Sequence, residues 1–227
     1  PITADEITRG LEFADATKVY DGTRAVKYNG HSTPDALKNY LTSAKVNING
    51  TEIDIKEDIS IKEGADYTHY DTPNVDGGRK TNRVTYGLTY TGSNFDISGD
   101  LTKTADGVIT KRRVTAYAPG QLVKWYDGTD KVYDPLDNSI KTYRRNDMTT
   151  PVTVGEKIVR LSTQRGDTGL LNEHKDKNLS YAVYKGKDAG TGKEVTHYVK
   201  LADDVAGNYE VVNTRGEAIA QLKTKNN

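Results

Sequence analysis

Val84-Thr85-Tyr86-Gly87-Leu88-Thr89-Tyr90 sets a β-branched, aliphatic or aromatic residue at every second position, with a polar residue or glycine between. A period of two puts the four larger side chains on one face, the pattern of a strand half buried against a core. Val195, His197, Val199 and Leu201 alternate in the same way, and shorter runs at 46–49, 52–56, 152–161, 179–185 and 209–212 carry weaker versions. Asn49-Gly50 stands between two of these runs and reads as a tight hairpin turn, since both residues tolerate positive φ. Asp76-Gly77-Gly78 and Asp106-Gly107 read as turns for the same reason. One segment departs from period two. Ser32-Thr33-Pro34-Asp35, followed by Ala36, Leu37, Tyr40 and Leu41, combines a capping hydroxyl, a first-turn proline and apolar spacing of three to four. It predicts a short helix over 34–44; the second half offers only 168–175 as a weaker counterpart. The chain is therefore expected to be mainly β, with a β-grasp-like arrangement carrying one short helix in its first part. An immunoglobulin-like β-sandwich fits the same inventory.

Composition sets bounds on the core. Leu, Ile, Val and Phe supply 45 of 227 residues, near the edge of what a packed interior needs. Fifteen tyrosines add bulk that can be buried by the ring while the hydroxyl stays near water. Small, tyrosine-rich cores are expected. Cysteine is absent, which excludes disulfides and thiolate metal sites. No apolar run reaches the ~20 residues of a membrane helix, so no membrane span is expected. Pro1 opens in mid-sequence, and any export signal is expected elsewhere. Residues 1–112 carry 14 Lys/Arg against 17 Asp/Glu, and 113–227 carry 18 against 15. Neither half has the basic excess that a nucleic-acid partner demands.

Short matches recur along the chain in one order. Lys18-Val19-Tyr20-Asp21 returns as Lys131-Val132-Tyr133-Asp134, Ser93-Asn94-Phe95-Asp96-Ile97 as Gly207-Asn208-Tyr209-Glu210-Val211, and Ile2-Thr3-Ala4 as Val114-Thr115-Ala116. Spacings of 112 to 114 predict two tandem modules, 1–112 and 113–227. In this reading Tyr20, Asp21 and Gly22 form a structural turn. The tyrosine packs its ring on the core, the aspartate bonds turn amides and the glycine takes positive φ. Tyr133 and Asp134 hold the same place in the second copy, although Pro135 replaces the glycine and a separate Tyr126-Asp127-Gly128 lies seven residues upstream.

Lys18-Val19-Tyr20-Asp21-Gly22-Thr23 resembles the YDG-type repeats, and the related MBG repeats, of very large bacterial surface adhesins of the filamentous-haemagglutinin-like or autotransported kind. The stretches Asp188-Ala189-Gly190-Thr191-Gly192-Lys193-Glu194-Val195, Asp204-Val205-Ala206-Gly207-Asn208-Tyr209 and Ala105-Asp106-Gly107-Val108-Ile109-Thr110-Lys111 are similar to other landmarks of that family. The resemblance implies an exported, extracellular stalk module without enzymatic activity, whose partners are neighbouring repeats. A glycan- or receptor-binding head of such an adhesin is the alternative, with a host-cell receptor or glycan as partner.

The residues that could carry chemistry are few. His31, His69, His174 and His197 form no metal-ligand spacing, and no G-x-S-x-G elbow is present. Residues 186–193 fail the spacing of a phosphate loop. No catalytic residues and no cofactor are expected. Calcium is the one metal considered, at Asp127-Gly128-Thr129-Asp130 with Asp134 and Asp137, or at Asp203-Asp204, although solvated turns account for these acids. Trp125 and Tyr126 are candidates for a ligand or inter-module contact. So are Tyr67, His69 and Tyr70 in the cluster Tyr67-Thr68-His69-Tyr70-Asp71.

Overall fold

The computed structural model describes residues 2–75, 82–97, 100–153 and 155–225. Strand accounts for 42% and helix for 12%, in several small sheets that include a curled half-barrel. The chain divides into two units, Pro1–Thr110 and Lys111–Asn227.

Unit 1 opens with helix α1 (Ala4–Arg9). Its N-cap Thr3 and the Glu6 side chain bond each other's backbone reciprocally, closing a capping box. Strands β1 (Leu11–Phe13) and β2 (Ala16–Val19) follow, then helix α2 (Pro34–Leu37). β3 (Leu41–Ile48) and β4 (Thr51–Asp54) form a hairpin, with Asn49 at φ 50° and Gly50 at φ 84° in the turn. β5 (Ile59–Ile61), β6 (His69–Tyr70), β7 (Arg83–Tyr90) and β8 (Leu101–Thr110) complete the unit. One sheet runs β1-β3-β4; the other runs β2-β8-β7-β5, with β6 also on β7. Val84, Tyr86 and Leu88 are fully buried, as the alternation in β7 requires. The Phe13 ring stacks on Tyr86 at 4.0 Å.

Four expectations need correction here. The helix over 34–44 is shorter: α2 gives way to a 3-10 turn at Lys38–Tyr40, and Leu41 turns extended because it pairs with Phe13 in the sheet. Helix α1 was not anticipated; Ile2-Thr3-Ala4 caps and starts it, whereas Val114-Thr115-Ala116 lies in a strand, so these two stretches are not equivalent. Ser93–Asp96 forms bends and Tyr209–Val212 a strand, although both precede the last strand of their unit. Asp106-Gly107 is not a turn but the interior of β8. A Cβ on Gly107 would stand 2.6 Å from Val84 and 2.7 Å from the Tyr70 ring, so the glycine serves close packing. Asp76-Gly77-Gly78 lies outside the described residues.

Unit 2 begins with β9 (Arg112–Tyr117), one residue after β8 ends. β10 (Leu122–Val123), β11 (Lys131–Tyr133), β12 (Tyr143–Arg144), β13 (Asp147–Pro151) and β14 (Arg160–Leu161) are short. The run 152–161 is thus no single strand. A kinked 3-10 segment at Asn172–Lys177 stands where the weaker helix was expected. Then come β15 (Tyr181–Tyr184), β16 (Glu194–Tyr198), helix α3 (Asp203–Ala206), β17 (Tyr209–Val212) and β18 (Gln221–Lys225). Three sheets form: β10-β12-β13, β11-β15-β16-β18, and β14-β9-β17 with β17 parallel to β9. Leu122, Val132, Tyr133, Val152, Ile158, Ala182 and Val195 make a buried cluster.

Candidate functional site

The most distinctive arrangement of side chains is built twice. Val19 ends β2, and the chain turns through Tyr20-Asp21-Gly22-Thr23 with Gly22 at φ 79°. Asp21 Oδ1 accepts hydrogen bonds from the Thr23 N–H at 2.9 Å and the Thr23 hydroxyl at 2.8 Å. The buried Lys18 ammonium then closes the turn. It donates to Asp21 Oδ1 at 2.9 Å, the Thr23 carbonyl at 2.8 Å and the Ala25 carbonyl at 2.7 Å, and lies 3.2 Å from the Thr23 hydroxyl. It also sits 5.3 Å from the centre of the Tyr70 ring.

In unit 2 the same device is made by Lys124, Asp127, Gly128 and Thr129, at an offset of 106 (124 − 18). Lys124 Nζ donates to Asp127 Oδ1 at 2.8 Å and to the Thr129 carbonyl at 2.8 Å. Asp127 Oδ1 accepts from the Thr129 N–H at 2.9 Å and hydroxyl at 2.8 Å, and Gly128 has φ 76°. Lys124 lies 6.0 Å from the Tyr184 ring, as Lys18 lies beside Tyr70. The backbone agrees: Tyr70 N–H donates to Arg24 O, and Tyr184 N–H to Asp130 O.

Tyr133 and Asp134 are therefore not the second copy of Tyr20 and Asp21. Tyr133 lies in β11 and its hydroxyl bonds Glu156 O; Asp134 accepts from Leu136 N–H in a turn of its own. Lys131 pairs with Asp137, at 3.3 Å. The reason is Pro135, whose ring fixes φ near −65° and forbids the positive φ that Gly22 and Gly128 supply.

Electrostatics distinguish the two copies. Burial alone would raise the Asp21 carboxyl; bonds from Lys27, Lys18 and Thr23 override it and hold its pKa at about 2. Lys27 adds an ion pair at 2.7 Å. Burial also lowers the Lys18 ammonium, against the pull of Asp21. The Lys124 hydrogen bond, with those from Thr129, holds Asp127 at about 2. The Asp127 side chain is 40% exposed, against 17% for Asp21. The second copy is the more open one.

The remaining candidates separate by burial. Tyr70 is fully buried, with its hydroxyl 3.3 Å from Val108 O, so it cannot meet a ligand. His69 is half buried in β6, paired with Thr85. Tyr67 is exposed, with the Lys62 ammonium 5.0 Å from its ring centre. Trp125 and Tyr126 are 70% and 68% exposed. Tyr126 borders a groove of about 300 Å³ shared with Lys124, Asp127, Tyr184 and Asp188. On that groove Lys193 folds back onto the carbonyls of Gly186 and Asp188, so 186–193 is a loop tied by its own lysine.

Among the described residues, no three His, Asp or Glu side chains converge as metal ligands. The acids considered for calcium are engaged locally: Asp127 as above, Asp137 by Ser139 and Lys131, and Asp204 by Lys177 at 2.7 Å.

His197 is 1% exposed, with Nε2 3.0 Å from the Thr224 hydroxyl. Burial lowers its pKa from 6.5 to about 4. The folded state thus favours the neutral ring, and the stability this gives is complete above pH 6.5 and lost as pH falls through 4. The interval predicts a loss of about 3 kcal/mol from unit 2 between pH 7 and 4. Chemical denaturation at a series of pH values checks it: His197→Gln should flatten the slope, and an unchanged slope would refute the assignment.

Arg112 was missed by sequence reasoning, where it appeared only as part of the basic boundary. Its side chain is buried in unit 2, and its guanidinium donates to the carbonyls of Gly169, Gly166 and Thr168, each at 2.7 Å. A lone arginine beside Lys111 and Arg113 carries no signal of burial, because its partners lie 54 to 57 residues away.

Comparison with protein-family models, with curated proteins and with solved structures finds no match for this chain.

Proposed function

We propose that the chain is a pair of non-enzymatic structural modules in an exported bacterial surface adhesin, of the YDG/MBG repeat type, that hold a distal binding part away from the cell. The observation that carries this reading is the lysine-clamped Tyr-Asp-Gly-Thr turn, built once in each unit from the same residue types with the same bonds. A turn whose aspartate, threonine and lysine satisfy one another serves architecture, since the polar atoms that would meet a substrate are already bonded. In this reading each unit is a small β-grasp-like module, and the partners are neighbouring repeats outside the cell. Serial modules interact mainly with their nearest neighbours, so length grows by repetition.

Small-angle scattering tests the proposal. The expected profile is that of two units in line, with a maximum dimension near the sum of the two. A profile of one compact body would count against a stalk. A second reading, a glycan- or receptor-binding head, is favoured by the adjacent exposure of Trp125 and Tyr126 beside the groove. Aromatic faces that stand in water suit a sugar ring, and a glycan array probed with the chain and with Tyr126→Ala separates the two readings.

A further inference from the structure

The two clamped turns sit in differently completed sheets. In unit 1, β8 has two partners in succession. Its residues 101–106 pair antiparallel with β7, and 107–110 pair parallel with β2, the strand that leads into the clamp. That second half covers the clamp. Tyr20 N–H donates to Thr110 O at 2.9 Å, the Thr110 hydroxyl reaches Lys18 O at 3.3 Å, and Tyr20 is 4% exposed.

In unit 2 the strand leading into the clamp is β10, which pairs only with β12 among the described residues. The counterpart of β7 is β16, since Tyr184 faces Val195 as Tyr70 faces Val84. The counterpart of the first half of β8 is β18, where Thr224 faces Val195 as Ala105 faces Val84. The counterpart of Tyr20 is Tyr126, 68% exposed. The Tyr184 hydroxyl bonds Leu122 O at 3.0 Å, whereas that of Tyr70 reaches Val108 O in the covering strand.

We propose that the open edge of β10 accepts a parallel strand running on from β18, as residues 107–110 run on from the first half of β8, and that this strand covers Tyr126 and ties the two sheets of unit 2 together. The occupant's chemistry follows from unit 1. The first position must be glycine, because a Cβ there would meet the tyrosine ring and the valine that Tyr184 and Val195 supply. The next two are β-branched or aliphatic, the third of them facing inward as Ile109 does at 3% exposure. The inference deepens the reading of the units as serial modules, since the added strand would lead from one unit toward the next as β8 leads into β9.

The test uses the full chain with Asn226→Gly and Asn227→Val, followed by Ile-Thr-Lys-Arg, which reproduces residues 107–112. Trp125 is the sole tryptophan. Trp125→Val with Tyr126→Trp moves the indole to the position whose counterpart is buried. The expected result is a blue-shifted indole, quenched several-fold less by acrylamide in the extended chain than in the unextended one. The protection should vanish when the appended glycine is replaced by valine. Equal quenching in extended and unextended chains would overturn the proposal. So would protection that survives the valine, or that appears only as the chain dimerises in sedimentation. Failure of the stalk reading is seen separately, as a compact scattering profile irrespective of the indole.

Discussion

Replacing Arg112 by methionine is expected to remove about 3–5 kcal/mol from unit 2, enough to unfold much of a domain whose whole stability is on the order of 5–15 kcal/mol. The guanidinium is 1% exposed and satisfies three backbone carbonyls of the 166–169 loop. Methionine fills much of the volume but donates nothing, so each carbonyl loses its bond without gaining water. The same residue's N–H donates to Asn208 O, and that main-chain bond would survive the substitution. The loss should therefore fall first on the loop and on β14. Hydrogen exchange on the full chain reads this directly. Amides of unit 2 should exchange faster by orders of magnitude while those of β7 and β8 in unit 1 keep their protection. A variant that melts and exchanges like the parent would show the loop to be held by other contacts.

Lys18→Met is the second large effect, expected at about 3–5 kcal/mol in unit 1. The substitution strands the Asp21 carboxylate, 17% exposed, together with the carbonyls of Thr23 and Ala25. Lys27 still pairs with Asp21, which keeps the cost toward the lower end. Lys124→Met removes the matching ammonium from unit 2, but Asp127 and Thr129 are more open to water. Its cost is expected at about 1–2 kcal/mol. Denaturant midpoints of the two variants give the comparison, and equal losses would refute the difference in burial as its cause. Acid adds an independent check. Asp21 is held at about 2, below its ordinary 3.8, so the stability it confers is complete above pH 4 and fades as pH falls through 2. That amounts to roughly 2 kcal/mol. In Lys18→Met the fading should be smaller, because the partner that depressed the carboxyl is gone.

Local chemistry made some features legible before any coordinates. Val84, Tyr86 and Leu88 line the core of unit 1 because alternation along a strand dictates which side chains share a face. Asn49-Gly50 turns the β3–β4 hairpin because those two residues accept positive φ at little cost. The Thr3–Glu6 capping box was equally readable, being a three-residue spacing of hydroxyl and carboxylate, and went unread only because Ile2-Thr3-Ala4 was matched to a strand. At the clamp, Tyr20, Asp21 and Gly22 were found as a turn from their side-chain chemistry alone.

The rest depended on distance along the chain. Which Tyr-Asp stretch repeats the clamp could not be decided from letters, since Lys131-Val132-Tyr133-Asp134 is the better match as text. Backbone φ decided it: Pro135 closes the left-handed region that Gly128 enters. Gly107 looked like a turn because Asp-Gly favours one. It became strand interior because the Tyr70 ring and the Val84 methyl, far off in sequence, occupy the space of its missing side chain. Arg112, read as one charge in a basic run, became the centre of a loop through carbonyls more than fifty residues downstream. By itself, then, the sequence determined the strand faces, the tight turns and the β-rich class, all of which depend on neighbours a few residues apart. Tertiary structure alone decided which lysine closes which turn and which glycine packs rather than bends, because those outcomes depend on what folding brings alongside.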